Sequence, residues 1–215
     1  MKIVTLEVAG FGPALRAMRN PMNSWDKSDT DYMVSMGDDN WGCLTQVEVG
    51  PEDAQLSLRL QKAGPEHCKH LRMIQVWADI EAPLYWWKQM DCYRAGVEKV
   101  SCSTMHKLTS RLLTMDDFEL DAQGDELYVF EKLVNYLNIL IGNYKHEAVP
   151  ERREKIWRNI IQQLPQNYVQ KRTVMMSYAA LRNIYRQREG HKLKEWETFR
   201  EWVRSLPEHW MITEG

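Results

Sequence analysis

Proline placement constrains this chain more than any other feature. A proline fixes its own φ and lacks an N–H, so it opens a helix readily but cannot continue one. Pro51-Glu52-Asp53 places two acids at the positive end of a helix dipole, and Gly64 supplies a stop, so the pattern predicts a helix over 51–63. Pro83 opens an aromatic helix, Pro150-Glu151 opens another that Pro165 ends, and Pro207 ends a last one over Leu193–Leu206. Gly12-Pro13 breaks an opening strand, and a short helix over Ala14–Arg19 gives way at Asn20-Pro21.

Periodicity fills the intervals between these marks. KIVTLEV (2–8) alternates as a strand, RMIQVWADI (72–80) reads as a buried strand, and VQKRTVMM (169–176) as a third. Leu127, Phe130, Val134, Leu137, Leu140 and Ile141 recur at helical spacing and predict a long helix over 125–144. Residues 110–124 read as loop with a turn at Asp116-Asp117, and Ser177 is a plausible N-cap for a helix reaching Arg188. With no repeat and no linker, the expectation is a single domain over 1–215, α/β in class and dominated by helices.

Composition excludes several functions. A formal net charge of -2 rules out the broad positive field of a general nucleic-acid binder. Cys43, Cys68, Cys92 and Cys102 show no CxxC spacing. The segment EHCKH (66–70) has no second cluster to complete a zinc site, so no metal is expected. The N-terminus carries no leader, and no apolar run approaches the ~18 residues of a membrane span. The expectation is a cytosolic chain, away from membranes, with reduced thiols. Trp25, in the polar segment MNSWDKSDTDY, reads either as part of a solvated loop or as a lid or rim.

The stretch Ile80–Leu108 concentrates the groups a ligand pocket needs. Trp77, Tyr85, Trp86 and Trp87 form an aromatic wall, with Trp86 and Trp87 the candidates to stack on a base. Gln89 and a buried-looking Arg94 follow, then the hydroxyl-rich loop Ser101-Cys102-Ser103-Thr104. Asp91 and Arg94, three residues apart, also suit an intrahelical ion pair. Residue types here support a pocket better than they support a reaction.

Two segments resemble the flavin-dependent thymidylate synthases. Gln89-x-x-Cys92-Tyr93-Arg94 and the Ser/Cys/Ser loop are placed like that family's Gln-x-x-Arg-His-Arg-x-x-Ser signature and its following serine and Arg-Tyr. Leu164-Pro165, a strand, and then ALRNIYRQREGHKLKEW are similar to its C-terminal helix pair, with Arg182 and Arg188 where the family carries arginines and Glu195 near its Ala-Gln-x-Glu glutamate. His70 is placed like the histidine of its Glu-His pair. RNPMNSWDKSD and SCSTMHKLTS look like runs in short homologues of gut bacteria and their phages.

The resemblance implies a central, mostly antiparallel sheet and a homotetramer with shared pockets. It also implies methylation of dUMP to dTMP with FAD, NADPH and methylene-tetrahydrofolate. Gln89, Arg94, Ser101, Ser103, Arg182 and Arg188 would hold the nucleotide, and His70 and His191 would lie along the flavin.

The departures bear on chemistry. Cys92 replaces the signature's first arginine, Tyr93 its histidine and Val97 its first serine. Cys102 takes the second serine's place, and Thr104-Met105 replace the Arg-Tyr. Ile161 and Ala179 stand where arginines are expected. A missing charge-stabilising donor typically costs ~2.7–4 kcal/mol of barrier. Lys99, Lys107, Arg172 and His106 are the cations that could approach from new directions. No residue is assigned a catalytic role.

Three readings follow: a divergent thymidylate synthase-like enzyme, a homologue that binds or sequesters a nucleotide without reacting it, and an interaction protein assembling through its nine Trp and twelve Met.

Overall fold

The computed structural model describes residues 1–36 and 42–214, with side chains for 1–31 and 47–214. Its strands are β1 (Lys2–Ala9), β2 (Asp31–Met36), β3 (Gly42–Glu48), β4 (Gln75–Pro83), β5 (Val97–Ser101) and β6 (Val169–Ser177). The helices are α1 (Phe11–Arg19), α2 (Pro51–Ala63), α3 (Leu84–Met90), α4 (Thr104–Lys107), α5 (Asp125–His146), α6 (Pro150–Gln163), α7 (Tyr178–Gln187), α8 (Lys194–Arg204) and α9 (Trp210–Thr213).

The fold is mixed helix and sheet, with a four-stranded sheet in the order β1-β4-β6-β5. Hydrogen bonds at the strand ends show the antiparallel sense. Leu84 N–H donates to Tyr168 C=O and Tyr178 N–H to Ile74 C=O, both at 3.0 Å, so β4 and β6 run opposite ways. Ser177 N–H to Gly96 C=O and Cys102 N–H to Lys171 C=O, both at 2.9 Å, do the same for β6 and β5. β2 and β3 form a separate antiparallel pair.

The proline marks hold. α2 spans the expected residues, α3 begins directly after Pro83, and Pro150 stands at the first position of α6. α1 starts earlier than expected because Pro13 is accommodated in its first turn, where no N–H is needed. Gly10 makes the corner from β1 at φ +99, and a Cβ there would meet the Met73 carbonyl oxygen at 2.2 Å. β4 begins later than expected because Lys69–Arg72 forms a 3-10 turn. β2, β3, β5 and α9 are elements that the periodicity did not signal.

Packing divides the chain into two compact units. The first comprises Met1–Lys2, Ile80–Cys92 and Val100–Arg172. Its core lies under α5 and α6, where Leu137, Ile141 and Ile160 are fully buried, each contributing roughly 1.5–3 kcal/mol relative to exposure. Phe118 meets Phe130 and Tyr168 edge-on, with centroids 5.1 and 5.8 Å apart. Asn138 clamps the Leu113 backbone, accepting from its N–H at 2.7 Å and donating to its carbonyl at 2.9 Å.

The second unit comprises Ile3–Asp79, Tyr93–Lys99 and Thr173–Gly215. Trp196, Phe199 and Trp202 form an aromatic run along α8, with successive centroids 5.7 and 5.2 Å apart. α2 behaves unusually in this unit, because the residues it buries are Asp53, Ser57 and Gln61. Arg19 Nε, Ser28 Oγ and Thr30 Oγ1 each donate to the Asp53 carboxylate at 2.6 Å. Asp29 accepts from Glu52 N–H at 2.8 Å and Asp53 N–H at 3.1 Å, and the Glu52 bond foremost holds its carboxyl below the usual range.

Candidate functional site: an arginine pocket on one helix

α7 begins where Ser177 Oγ accepts from Ala180 N–H at 3.2 Å, so its first turn is capped. The helix buries Tyr178, Ala180, Leu181 and Ile184. Helical periodicity then turns Ala179, Arg182, Asn183 and Arg186 to another face. That face lines a cavity of about 450 Å³, whose other walls include Gln61 at the end of α2, Cys68 and Arg72. Arg72, Asn183 and Arg186 are exposed, Arg182 is half-buried, and Gln61 is only 4% exposed.

Among the described residues, three arginines and no carboxylate line this cavity. Arg182 Nη1 reaches Cys68 Sγ at 3.8 Å, while its Nε is buried and has no partner. Burial, and then the charge of Arg186, lower the Arg182 pKa from its usual value. A guanidinium left short of partners is stabilised by an anion that accepts from it. Monophosphates and diphosphates are such anions, and Asn183 adds an amide to the same wall.

His70 lies behind this cavity at 2% exposure, its Nε2 2.9 Å from Ser57 Oγ. Burial, the largest cause, lowers its pKa to about 4. His70 is therefore neutral at physiological pH and adds no charge. Expected to lie along a flavin, it is instead enclosed in protein, with its ring nitrogen engaged by a serine.

Arg188 and His191 belong to a different cluster of the second unit. The Arg188 guanidinium sits 5.3 Å from the Tyr93 ring centroid and 4.4 Å from that of Trp196. His191 Nδ1 accepts from Leu193 N–H at 3.1 Å, and its ring meets Trp196 edge-on. Tyr93 Oη donates to Gln187 Oε1 at 3.0 Å, and Lys99 Nζ donates to the Tyr93 carbonyl at 3.0 Å. Arg182 and Arg188, expected to share a ligand, thus line different features of the same unit.

The aromatic wall requires correction. Trp86 and Trp87 are fully buried and pack against each other at 4.9 Å, so neither face is open to a base. Trp87 Nε1 donates to Gln170 C=O at 2.9 Å, and the Arg172 guanidinium lies 4.3 Å from the Trp87 ring centroid. Periodicity cannot tell a tryptophan that fills a core from one that lines a pocket, and here both fill the core.

Arg94 is also corrected, from buried to exposed. α3 ends at Met90, so Asp91 and Arg94 do not share a helix. Asp91 is instead held by Arg172 Nη1 at 2.8 Å, which commits Arg172 as well. Gln89 is half-buried after these tryptophans.

Ser101 ends β5 and is exposed, whereas Ser103 caps α4 by accepting from His106 N–H at 3.1 Å. Ser103 lines a smaller cavity of about 250 Å³ in the first unit, with Lys107, Arg111, Asp117 and Lys171. Asp117 takes both ends of the Arg111 guanidinium, so that cavity carries its own counter-charge.

Other expectations resolve more simply. Trp25 Nε1 donates to Asn20 Oδ1 at 2.8 Å, and its ring lies under Arg16, which ties it to its own segment. Cys92 and Cys102 are exposed free thiols and Cys68 is buried, while the Cys43 side chain lies outside the described residues. Among the described residues no group of three His, Cys, Asp or Glu is placed to hold a metal, and no helix is long and apolar enough to cross a membrane.

Gln61, Cys68, Arg72, Asn183 and Arg186 were not anticipated. The legible signal was the i, i+4 spacing of Arg182 and Arg186 on a helix whose other face is apolar.

No protein-family model matches the chain, and no curated protein matches it in sequence. Solved structures do match over nearly the full length. A flavin-dependent thymidylate synthase, ThyX, of Helicobacter pylori complexed with FAD and dUMP superposes with a TM-score of 0.69 at 15% identity, covering 98% of this chain and 96% of that one. A second ThyX structure from the same organism, with FAD and dUMP, gives 0.69 at 14% identity, covering 99% and 97%. At such identities the likeness establishes the fold, which is that of flavin-dependent thymidylate synthase.

Proposed function

We propose that this chain is a nucleotide-binding protein of the flavin-dependent thymidylate synthase type, with residues 1–215 working as one functional domain. The observation that carries this reading is the cavity on α7, where Arg72, Arg182 and Arg186 converge without a carboxylate and Arg182 Nε has no partner. Its donor set fits a nucleotide phosphate, either the monophosphate of dUMP or the diphosphate of FAD. Structures of the same fold complexed with both ligands support the choice. A bound flavin would supply the reducing equivalents, and Arg182, Arg186, Arg72 and Asn183 are the residues that would hold its diphosphate.

On this reading the reaction is methylation of dUMP to dTMP, with methylene-tetrahydrofolate and NADPH as co-substrates. It would be carried out in the cytosol by a homotetramer with shared pockets. The remaining expected contacts, Gln89, Arg94, Ser101, Ser103, Arg188 and His191, stay part of the proposal as nucleotide- and flavin-facing residues.

A second reading is that the chain captures a nucleotide without reacting it, as a phage protein sequestering a nucleotide signal would. Specific observations favour it: Ala179 contributes no charge to the cavity wall, and Tyr93 is committed to Gln187.

One preparation separates the two readings. Purified protein is scanned in the ultraviolet and visible and then titrated calorimetrically with FAD and with dUMP. Flavin absorbance together with dTMP formation supports the enzyme. Binding of dUMP by colourless protein that takes up no flavin supports capture, and failure to bind either ligand ends the nucleotide reading.

A further inference from the structure

The inward face of α2 is polar, and its groups are satisfied in order until the last. Asp53 accepts three hydrogen bonds. Four residues on, Ser57 Oγ lies 2.9 Å from His70 Nε2 and accepts from Gln61 Nε2 at 3.2 Å. Four residues further, Gln61 is 4% exposed, lines the arginine cavity, and has no partner for its Oε1.

The Gln61 amide is held by the groups behind it, its Nε2 donating to Ser57 Oγ. His70 is neutral and therefore has one N–H and one acceptor nitrogen. His70 Nδ1 has no hydrogen-bond partner, and because Gln61 Nε2 already donates to Ser57 Oγ, His70 Nε2 is the nitrogen left to accept the serine hydrogen. Ser57 O–H then donates to Nε2, and the free lone pairs of Ser57 Oγ accept from the Gln61 amide N–H. Gln61 is left with its carbonyl oxygen toward the cavity. A buried acceptor without a donor is costly, and a ligand N–H or O–H removes that cost.

We propose that Gln61 is the specificity-determining residue of the arginine pocket. Its Oε1 accepts a hydrogen bond from the ligand, so the pocket prefers a phosphorylated ligand that carries an N–H or O–H donor on a group beyond the phosphate itself. The arginines recognise charge alone and admit any phosphate, whereas Gln61 separates a nucleotide from inorganic pyrophosphate. This inference rests on the nucleotide reading above and deepens it.

The test is calorimetric titration of the full chain with inorganic pyrophosphate, dUMP and FAD, in wild type, Gln61→Leu and Arg182→Ala. Gln61→Leu keeps the volume and removes the acceptor. It is expected to weaken the preferred nucleotide roughly tenfold while leaving pyrophosphate unchanged. Arg182→Ala is expected to weaken all three. Ser57→Ala, which frees the Gln61 amide to rotate, gives a smaller loss confined to the same nucleotide and serves if Gln61→Leu does not fold.

Nucleotide affinity unchanged in both Gln61→Leu and Ser57→Ala, with Arg182→Ala impaired, overturns the role of Gln61 and leaves the nucleotide reading standing. Wild-type protein that binds none of the three probes overturns both. Loss of pyrophosphate binding in Gln61→Leu overturns selectivity, because the residue would then act on charge binding as a whole.

Discussion

At the scale of single residues, buried polar groups here are either completed or left open, and the difference has measurable consequences. Asp53 is completed, and removing it leaves Arg19, at 5% exposure, without its carboxylate. Asp53→Ala is therefore expected to destabilise the fold by about 3–5 kcal/mol in urea unfolding. His70 makes stability depend on pH. Its folded pKa, about 4, lies below the ordinary value of 6.5, so the unfolded chain takes up a proton first as pH falls. His70 should cost nothing above the unfolded pKa, and the fold should lose on the order of 3 kcal/mol between pH 6.5 and pH 4. Urea melts across that range, with His70→Gln flattening the slope, check the sign. The residues the sequence placed wrongly, Trp86, Trp87 and Arg94, are types whose surroundings are not encoded locally. Gln61 was missed for the opposite reason: Ala54, Leu56, Leu58 and Leu60 alternate ambiguously and mark no single face, and the helix turned its polar one inward.

At the scale of elements, the chain was legible wherever a covalent constraint marks a boundary. Proline and glycine act through φ and a missing N–H, which no tertiary context overrides, and α2, α3 and α6 begin where prolines place them. β5 was not legible because VEKVS buries only Val97, so the usual alternation is absent. α9 was not legible because four residues carry no period. Gly10 is the corner with the least freedom. Gly10→Ala combines positive φ with a clash on the Met73 carbonyl, and it is expected to cost at least ~1–3 kcal/mol, read as a lowered unfolding midpoint. Leu137→Ala, in the core under α5, should cost roughly 2–5 kcal/mol by the same assay without altering ligand titrations.

At the scale of the whole molecule, fold class was recoverable because helix and strand periods, caps and breakers agree along most of the chain. Division into two compact units was not, since each unit gathers segments distant in sequence. The proposed homotetramer belongs to this scale. Light scattering is expected to return four copies of the 25.4 kDa chain, and a monomer would count against shared pockets. The α7 cavity lies within one unit of one chain, so phosphate binding there should persist in any assembly state, which titration of diluted protein can check.

The polar inward face of α2 has a last consequence, for how this chain can vary. A helix seated by oil slides and repacks through small volume changes, one residue at a time. One seated by directional bonds at positions 53, 57 and 61 resists such drift, because Asp53 is held by Arg19, Ser28 and Thr30 and Ser57 links His70 to Gln61. Leu56, Leu58 and Leu60, half-buried beside that row, are free to change singly. Ser57 and Gln61 are bound to change together, so recombined libraries should show strong epistasis between them and almost none among the leucines.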